Sequence, residues 1–447
     1  MTTPIYDFMA EYAKSKTTRF HMPGHKGKGV IGSSKFLGCE NLDITEIKGA
    51  DSLYEADSII AESEANASEL FGTGATFYST EGSSQCIRAM LSLALSTSTN
   101  RSVLAARNVH KSFVYAAGLI GFDVEWFAPE MSDSLCRCRI SADELAKKLD
   151  SMKELPAAFY LTSPDYLGGV ADIKSLAKVC HERGIPLLTD NAHGAYLRFL
   201  PESSHPIELG ADLCCDSAHK TLPVLTGGAY LHLSKSVSEK LSPLARSTME
   251  IFGSTSPSYL TLGSLDLCNS YLASDFRGDL ADLLIRLRKV RETLAQNGWV
   301  LEESDPLRLT LRAPDGMAGN SLAERLRSGG IECEYSDLTF VVLMVTPMND
   351  PGDFQRLIDT LGVNDREYLH SEAMKITIPM RKMSIRDALF APHEFVPVEK
   401  SLGRVCGAPT VSCPPAIPIA VSGEIIDDSA IELFKRYGTD SVEVVCE

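Results

Sequence analysis

Lys220 lies in Ser217-Ala-His-Lys-Thr221, directly behind Leu213–Asp216, a short apolar run that reads as a buried strand. Lysines are rarely buried without a partner, and a long stem lets them snorkel out to water. Held in place, with its pKa lowered by burial and nearby cations, such a lysine can form a Schiff base with a carbonyl compound. Thirty residues earlier, Asp190-Asn-Ala-His-Gly194 follows the strand-like Pro186–Thr189. A carboxylate at the C-terminal end of a parallel strand stands at the ligand edge of the sheet. There Asp190 can pair with a protonated pyridine nitrogen and make that ring an electron sink. A helix N-cap is its plainer reading.

Two further segments fit the same chemistry. Ser79-Thr-Glu-Gly82-Ser83-Ser84 joins a strand to a helix, and backbone N–H groups at a helix start bind phosphate. An ordinary serine cap is the alternative there, and no Gly-Lys-Ser/Thr makes it a Walker motif. Asn108-Val-His110-Lys-Ser112 follows the strand Ser102–Ala106; His110 can stack on a flat ring or serve structure alone. Singly each signal is weak. Four such groups after four strands of one sheet point together to pyridoxal phosphate (PLP), with Lys220 as its Schiff-base lysine.

The surrounding pattern supplies that sheet. Helical periodicity over Ser58–Phe71, Ser83–Leu95, Phe113–Leu119 and Ile173–Arg183 alternates with short apolar runs at Ala75–Ser79, Ser102–Ala106, Ala157–Leu161, Pro186–Thr189, Leu213–Asp216 and Ala229–Leu233. Such alternation predicts a mostly parallel sheet covered on both faces. Gly184 is placed as a helix C-cap. A long helix over Asp279–Asn297, stopped by Gly298, leads into strand patterns at Leu307–Leu311 and Thr339–Val345, with helical ones at Ser321–Leu326 and Asp353–Leu361. The expected organisation is an N-terminal segment 1–50 with a helix near Tyr6–Ala13, a large α/β domain 51–285, and a smaller α+β domain 286–447. Cys413-Pro-Pro-Ala-Ile-Pro-Ile is too rich in proline for regular structure.

Composition narrows the function. The formal net charge of −16 over 447 residues disfavours nucleic-acid binding and weakly favours cationic small molecules. None of the twelve cysteines forms a CxxC pair; Cys136/Cys138 and Cys214/Cys215 have no zinc-site spacing, and free thiols of a reducing cytosol are expected. The first residues carry no signal-peptide pattern and no apolar run spans a bilayer, so a cytoplasmic protein without membrane partners is expected.

Taken together, these segments resemble the fold-type I (aspartate aminotransferase-like) PLP enzymes and specifically the Orn/Lys/Arg decarboxylase family, in its short bacterial form. The resemblance runs through His21-Met-Pro-Gly-His25-Lys-Gly27, Gly82-Ser83-Ser84, Asn108–Ser112, Asp190–Gly194, Ser217–Thr221, Ser254-Thr-Ser-Pro-Ser-Tyr259 and Cys413–Pro418, almost the whole chain. It implies a seven-stranded sheet. It implies that Lys220 carries PLP, Asp190 salt-bridges the ring nitrogen, His110 stacks on the ring, and Ser83, Ser84, Ser217 and His219 hold the phosphate. Thr255 and Ser256 would reach the phosphate of a partner subunit, which makes a homodimer or higher homo-oligomer the expected assembly. His193 lies near the cofactor, where relatives can carry an aromatic residue. Cys413-Pro-Pro-Ala departs from the more usual Pro-Pro-Gly. The implied reaction is decarboxylation of arginine, lysine or ornithine, with a place in polyamine biosynthesis.

Position leaves Lys220 and His219 as candidates to protonate the substrate Cα. For the substrate's distal cation the candidates are Glu424, with Glu46 and Asp51, and His25 is a further candidate substrate contact. Glu424 also reads as a solvated acid before a helix, and Arg404 as a carboxylate clamp or a surface ion pair. The same lysine and aspartate would serve an aminotransferase or β-eliminating lyase. A catalytically idle homologue is disfavoured by the full cofactor set.

Overall fold

The computed structural model describes residues 1–15, 17–28, 37–129, 131–368, 374–410 and 415–446. Seven strands make the central sheet: β1 (Ala75–Ser79), β2 (Ser102–Ala106), β3 (Asp123–Phe127), β4 (Ala158–Thr162), β5 (Leu187–Asp190), β6 (Leu213–Asp216) and β7 (Ala229–Leu233). Their order is β1-β7-β6-β5-β4-β2-β3. β5 runs parallel to β6, and β2 parallel to β3 and β4. Only β7 is antiparallel to its neighbours, β1 and β6. The mostly parallel α/β fold expected from the sequence is therefore present. β5 and β6 are buried at every residue, as strands covered on both faces must be. β3 escapes the sequence reading because Asp123 and Glu125 are exposed and break its apolar run.

The chain divides into two compact units, each discontinuous in sequence: 1–97 with 186–278, and 98–185 with 279–447. The first holds β1, β5, β6 and β7 and the helices Pro4–Lys14, Ile59–Phe71, Ser83–Ser96, Lys235–Glu250 and Tyr259–Ala273. Asp51 is the cap of Ile59–Phe71. Its carboxylate accepts the N–H groups of Ser52, Asp57, Ser58 and Ile60, so both of its oxygens are engaged by backbone.

The second unit holds β2, β3 and β4, a three-stranded antiparallel sheet and most of the helix Phe276–Gln296. Gly298 follows that helix with φ of 84°. The tail carries more regular structure than its prolines suggest. Strands His393–Pro397 and Ser441–Val445 pair antiparallel, and the helix Asp428–Arg436 lies between them in sequence. Cys413 and Pro414, from the proline-rich motif, lie outside the described residues. The cysteines among the described residues are free thiols, and no helix there is long and apolar enough to cross a membrane.

Candidate active site

The first unit gathers most of the chemistry-bearing residues at one edge of its sheet. In the register of parallel β5 and β6, Asp190 stands opposite Cys215, so Asp190 and the Ser217–Thr221 turn leave adjacent strands at the same C-terminal edge. Asp190 is buried, and its Oδ1 accepts the Ala192 N–H at 3.1 Å. That bond folds the chain back after β5 and brings His193 toward the lysine. Lys220 Nζ lies 2.7 Å from His193 Nε2. The bland alternative for Lys220, a stem reaching out to water, does not describe it: the amine is half-buried and bonded to a buried imidazole. His193 is the residue whose role the sequence left open. The signal was its place three residues after Asp190, in the turn that the Ala192 bond closes.

His219 is fixed by a carbonyl. Its Nδ1–H donates to the Gly228 oxygen at 3.1 Å, and its backbone N–H donates to the same oxygen at 3.3 Å. Burial lowers the imidazole pKa, and the neighbouring Lys220 charge adds to that. His219 is therefore neutral near pH 7, with its single ring proton committed to Gly228. Its Nε2 can only accept.

The phosphate-suited residues converge as well. Gly82 precedes the helix Ser83–Ser96 and brings no side-chain cap to its first turn. A Cβ built on Gly82 would meet open space. Ser217 Oγ donates to Ser83 Oγ at 2.9 Å. Two hydroxyls thus meet at the start of a fourteen-residue helix, next to a glycine with open space around it, a donor set that suits a phosphate. Residues 227 and 228, which sequence reasoning passed over, tie this spot to the lysine turn. The Gly227 oxygen accepts the Gly82 N–H at 2.8 Å, while the Gly228 oxygen holds His219. Gly227 has φ of 98°, and a Cβ there would lie 2.6 Å from the Thr80 carbonyl oxygen. Only glycine suits that position.

Several of the remaining candidates are held by contacts of their own. Thr255 and Ser256 lie exposed before the helix Tyr259–Ala273. His25 accepts the Gly27 N–H on Nδ1 and meets Asp43 through Nε2 at 3.2 Å. Glu46 is exposed. In the second unit, His110 caps the helix Lys111–Ile120, its Nδ1 accepting the Ser112 N–H at 3.1 Å. Glu424 is buried, not solvated. Arg107 Nη2 donates to its Oε2 at 2.8 Å and the Val421 N–H at 2.7 Å, whereas Oε1 has no hydrogen-bond partner among the described residues. Burial raises its pKa against the pull of Arg107. Arg404 is a peripheral ion pair with Glu394 at 2.6 Å.

The residues present fit PLP. An amine stands beside a buried carboxylate at one sheet edge, and an uncapped helix start with two hydroxyls stands ready for a phosphate. Known proteins agree. Residues 3–313 match the profile of the Orn/Lys/Arg decarboxylase major domain. Arginine decarboxylase of Bacillus subtilis is 30% identical over 97% of this chain and 93% of its own length. Arginine decarboxylase of Halalkalibacterium halodurans is likewise 30% identical, over 97% and 93%. The fold matches lysine decarboxylase LdcF of Francisella novicida with a TM-score of 0.79 at 15% identity, covering 99% of this chain and 81% of that one. It matches the constitutive lysine decarboxylase of E. coli with a TM-score of 0.77 at 16% identity, over 100% and 82%. The chain therefore belongs to the Orn/Lys/Arg decarboxylase family of PLP-dependent enzymes, which decarboxylate basic amino acids.

Proposed function

We propose that this basic-amino-acid decarboxylase takes arginine and releases agmatine and carbon dioxide, with Lys220 as the residue that carries PLP and returns the proton to Cα. The observation that carries the site is the 2.7 Å contact between Lys220 and His193, beside the buried Asp190. The choice of arginine rests on the relatives of 27–30% identity named arginine decarboxylase, against 22% for a lysine decarboxylase. Bound PLP supplies a sink for the electrons of the broken Cα–carboxylate bond.

Each residue then has a defined task. Asp190 stands as the buried anion that keeps a ring nitrogen protonated. Ser83, Ser84 and Ser217, at the helix start after Gly82, would hold the phosphate and so fix the place of the ring against which the substrate is oriented. His193 Nε2 accepts from Lys220 Nζ and keeps the amine at the reacting centre. Of the two candidates for protonating Cα, His219 is disfavoured, because its one ring proton is pledged to Gly228; Lys220 Nζ remains. His110 serves as the ring-stacking imidazole, with Nε2 carrying its proton, since Nδ1 accepts from Ser112. Thr255 and Ser256 complete the phosphate site of a second subunit in a homodimer, which accounts for their exposure in the single chain. The amine product suits polyamine-forming reactions in the cytoplasm.

The test is an assay of carbon dioxide and amine product on PLP-loaded protein given arginine, lysine and ornithine in parallel. Agmatine as the dominant product supports the proposal. Cadaverine or putrescine as the dominant product reassigns the substrate within the family.

A further inference from the structure

Behind the lysine turn lies a closed polar cluster that the chemistry above does not use. Asp216, the last residue of β6, has no solvent exposure, and neither have His205 and His232. His205 Nε2 lies 3.0 Å and His232 Nε2 3.2 Å from Asp216 Oδ2. Asn191 Nδ2 donates to Asp216 Oδ1 at 2.7 Å. The Cys214 thiol faces the same oxygen at 3.6 Å. Burial alone would raise the Asp216 pKa, but the two imidazoles outweigh it and hold the carboxyl far below its usual range. Burial also keeps His232 below its usual range, so its Nε2–H donates to Asp216 while Nδ1 meets the Thr76 hydroxyl at 2.9 Å. Leaving a buried carboxylate without such donors costs several kcal/mol.

The partners of this anion are informative. Asn191 directly follows Asp190 and is fastened at three points. Its N–H donates to Cys215 O at 3.0 Å, its carbonyl accepts the Gly194 N–H at 2.8 Å, and its side chain reaches Asp216. The turn 190–194, which carries Asp190 and His193, is thereby bound to β6. At its other end Asp216 adjoins Ser217 and lies four residues before Lys220. Gly194 packs against Asn191 so closely that a Cβ would fall 2.0 Å from Asn191 Oδ1. The amide therefore has little room to turn away from the carboxylate.

On this basis we infer that Asp216, held by His205 and His232, is a positioning residue that acts through Asn191 to set Asp190, His193 and Lys220 for the cofactor. This rests on the PLP reading of the site and not on the choice of substrate. Two His and one Asp are also a possible metal-ligand set. Here, however, the imidazoles and the amide already surround the carboxylate with donors, so a cation would have to displace them.

The experiment measures PLP affinity by titrating apo-protein of wild type, Asn191→Ala, Asp216→Asn and the double variant, following the visible cofactor band. Melting temperature and bound metal are read on the same samples. Asn191→Ala keeps the His–Asp–His cluster intact, so it answers even where Asp216→Asn folds poorly. The expected result is PLP affinity weakened about tenfold to hundredfold in each single variant, with the double variant no worse than the more affected single one. Apo Asn191→Ala, in which both imidazoles stay on Asp216, should melt below wild type yet still unfold cooperatively, so its loss of PLP affinity is read on folded protein. Unchanged PLP affinity in Asn191→Ala, or losses that multiply in the double variant, would overturn the inference. So would a stoichiometric metal ion in wild type that disappears in Asp216→Asn. Because the readout is cofactor affinity, a different preferred substrate does not alter it, whereas wild type that takes up no PLP removes the inference together with the site reading.

Discussion

Both compact units bury carboxylates, and one arrangement in the first contrasts with a set of arrangements in the second. In the first, Asp216 is met by imidazole and amide N–H groups, and two of the three donors come from neighbouring strands: His232 from β7 and Asn191 from the residue after β5. In the second, several of the partners are guanidinium groups, which reach acids both near and far along the chain. Arg107 pairs with Glu424, Arg137 with Asp133 and Glu302, and Arg312 with Glu302. Arg308 pairs with Asp305 and donates to the Asp165 carbonyl. Short, rigid donors carried by adjacent strands hold side chains to a fixed geometry. Long guanidinium arms instead pin the tail and loops to a core. The first arrangement positions a site, and the second staples a fold.

The largest effect should come from the site itself. Lys220→Ala should lower decarboxylation at least about 10⁴-fold while leaving the melting temperature near wild type, because the lost amine acts in chemistry and not in packing. Asp190→Ala should follow with a loss of ~10²–10⁴-fold in turnover; near-wild-type activity would remove Asp190 from the ring nitrogen. In the second unit, Arg107→Met should cost about 3–5 kcal/mol in denaturant unfolding, as a broken buried ion pair does. A loss below about 1 kcal/mol would mean the guanidinium is no staple.

Smaller effects sharpen the contrast. Gly227→Ala should cost about 1–3 kcal/mol, since the new Cβ meets the Thr80 carbonyl, and PLP affinity should fall with it because Gly82 hangs from the same turn. Asp165, buried in the second unit, is pushed up from 3.8 to about 6 by burial. A carboxyl raised in the folded state binds its proton more tightly there. Its contribution is complete below about pH 4 and lost as the pH rises through about 6. Asp165→Asn should flatten that part of the stability profile relative to wild type; parallel profiles would contradict it.

The sequence made the sheet and much of the site legible for a physical reason. Strands of a sheet covered on both faces are short, buried and mostly apolar, so β1, β2, β6 and β7 could be read to the residue, and chemistry at such a sheet collects just after strand ends. Lys220, Asp190 and Gly82 were findable by that rule. β3 was not, because its exposed acids interrupt the run. The Lys220–His193 contact, the neutral state of His219 and the Gly227–Gly228 turn depend on how loops fold back, which no local pattern encodes. Glu424 misled as a solvated acid because its partner, Arg107, lies 317 residues away in sequence.

The central claim is that Lys220 is the residue that carries PLP. Borohydride reduction of the PLP-loaded protein, followed by peptide mapping, tests it most directly. The account predicts a single pyridoxyl group on the peptide containing Lys220, absent from Lys220→Ala. A label on another lysine, or none in wild type that retains decarboxylase activity, would contradict it.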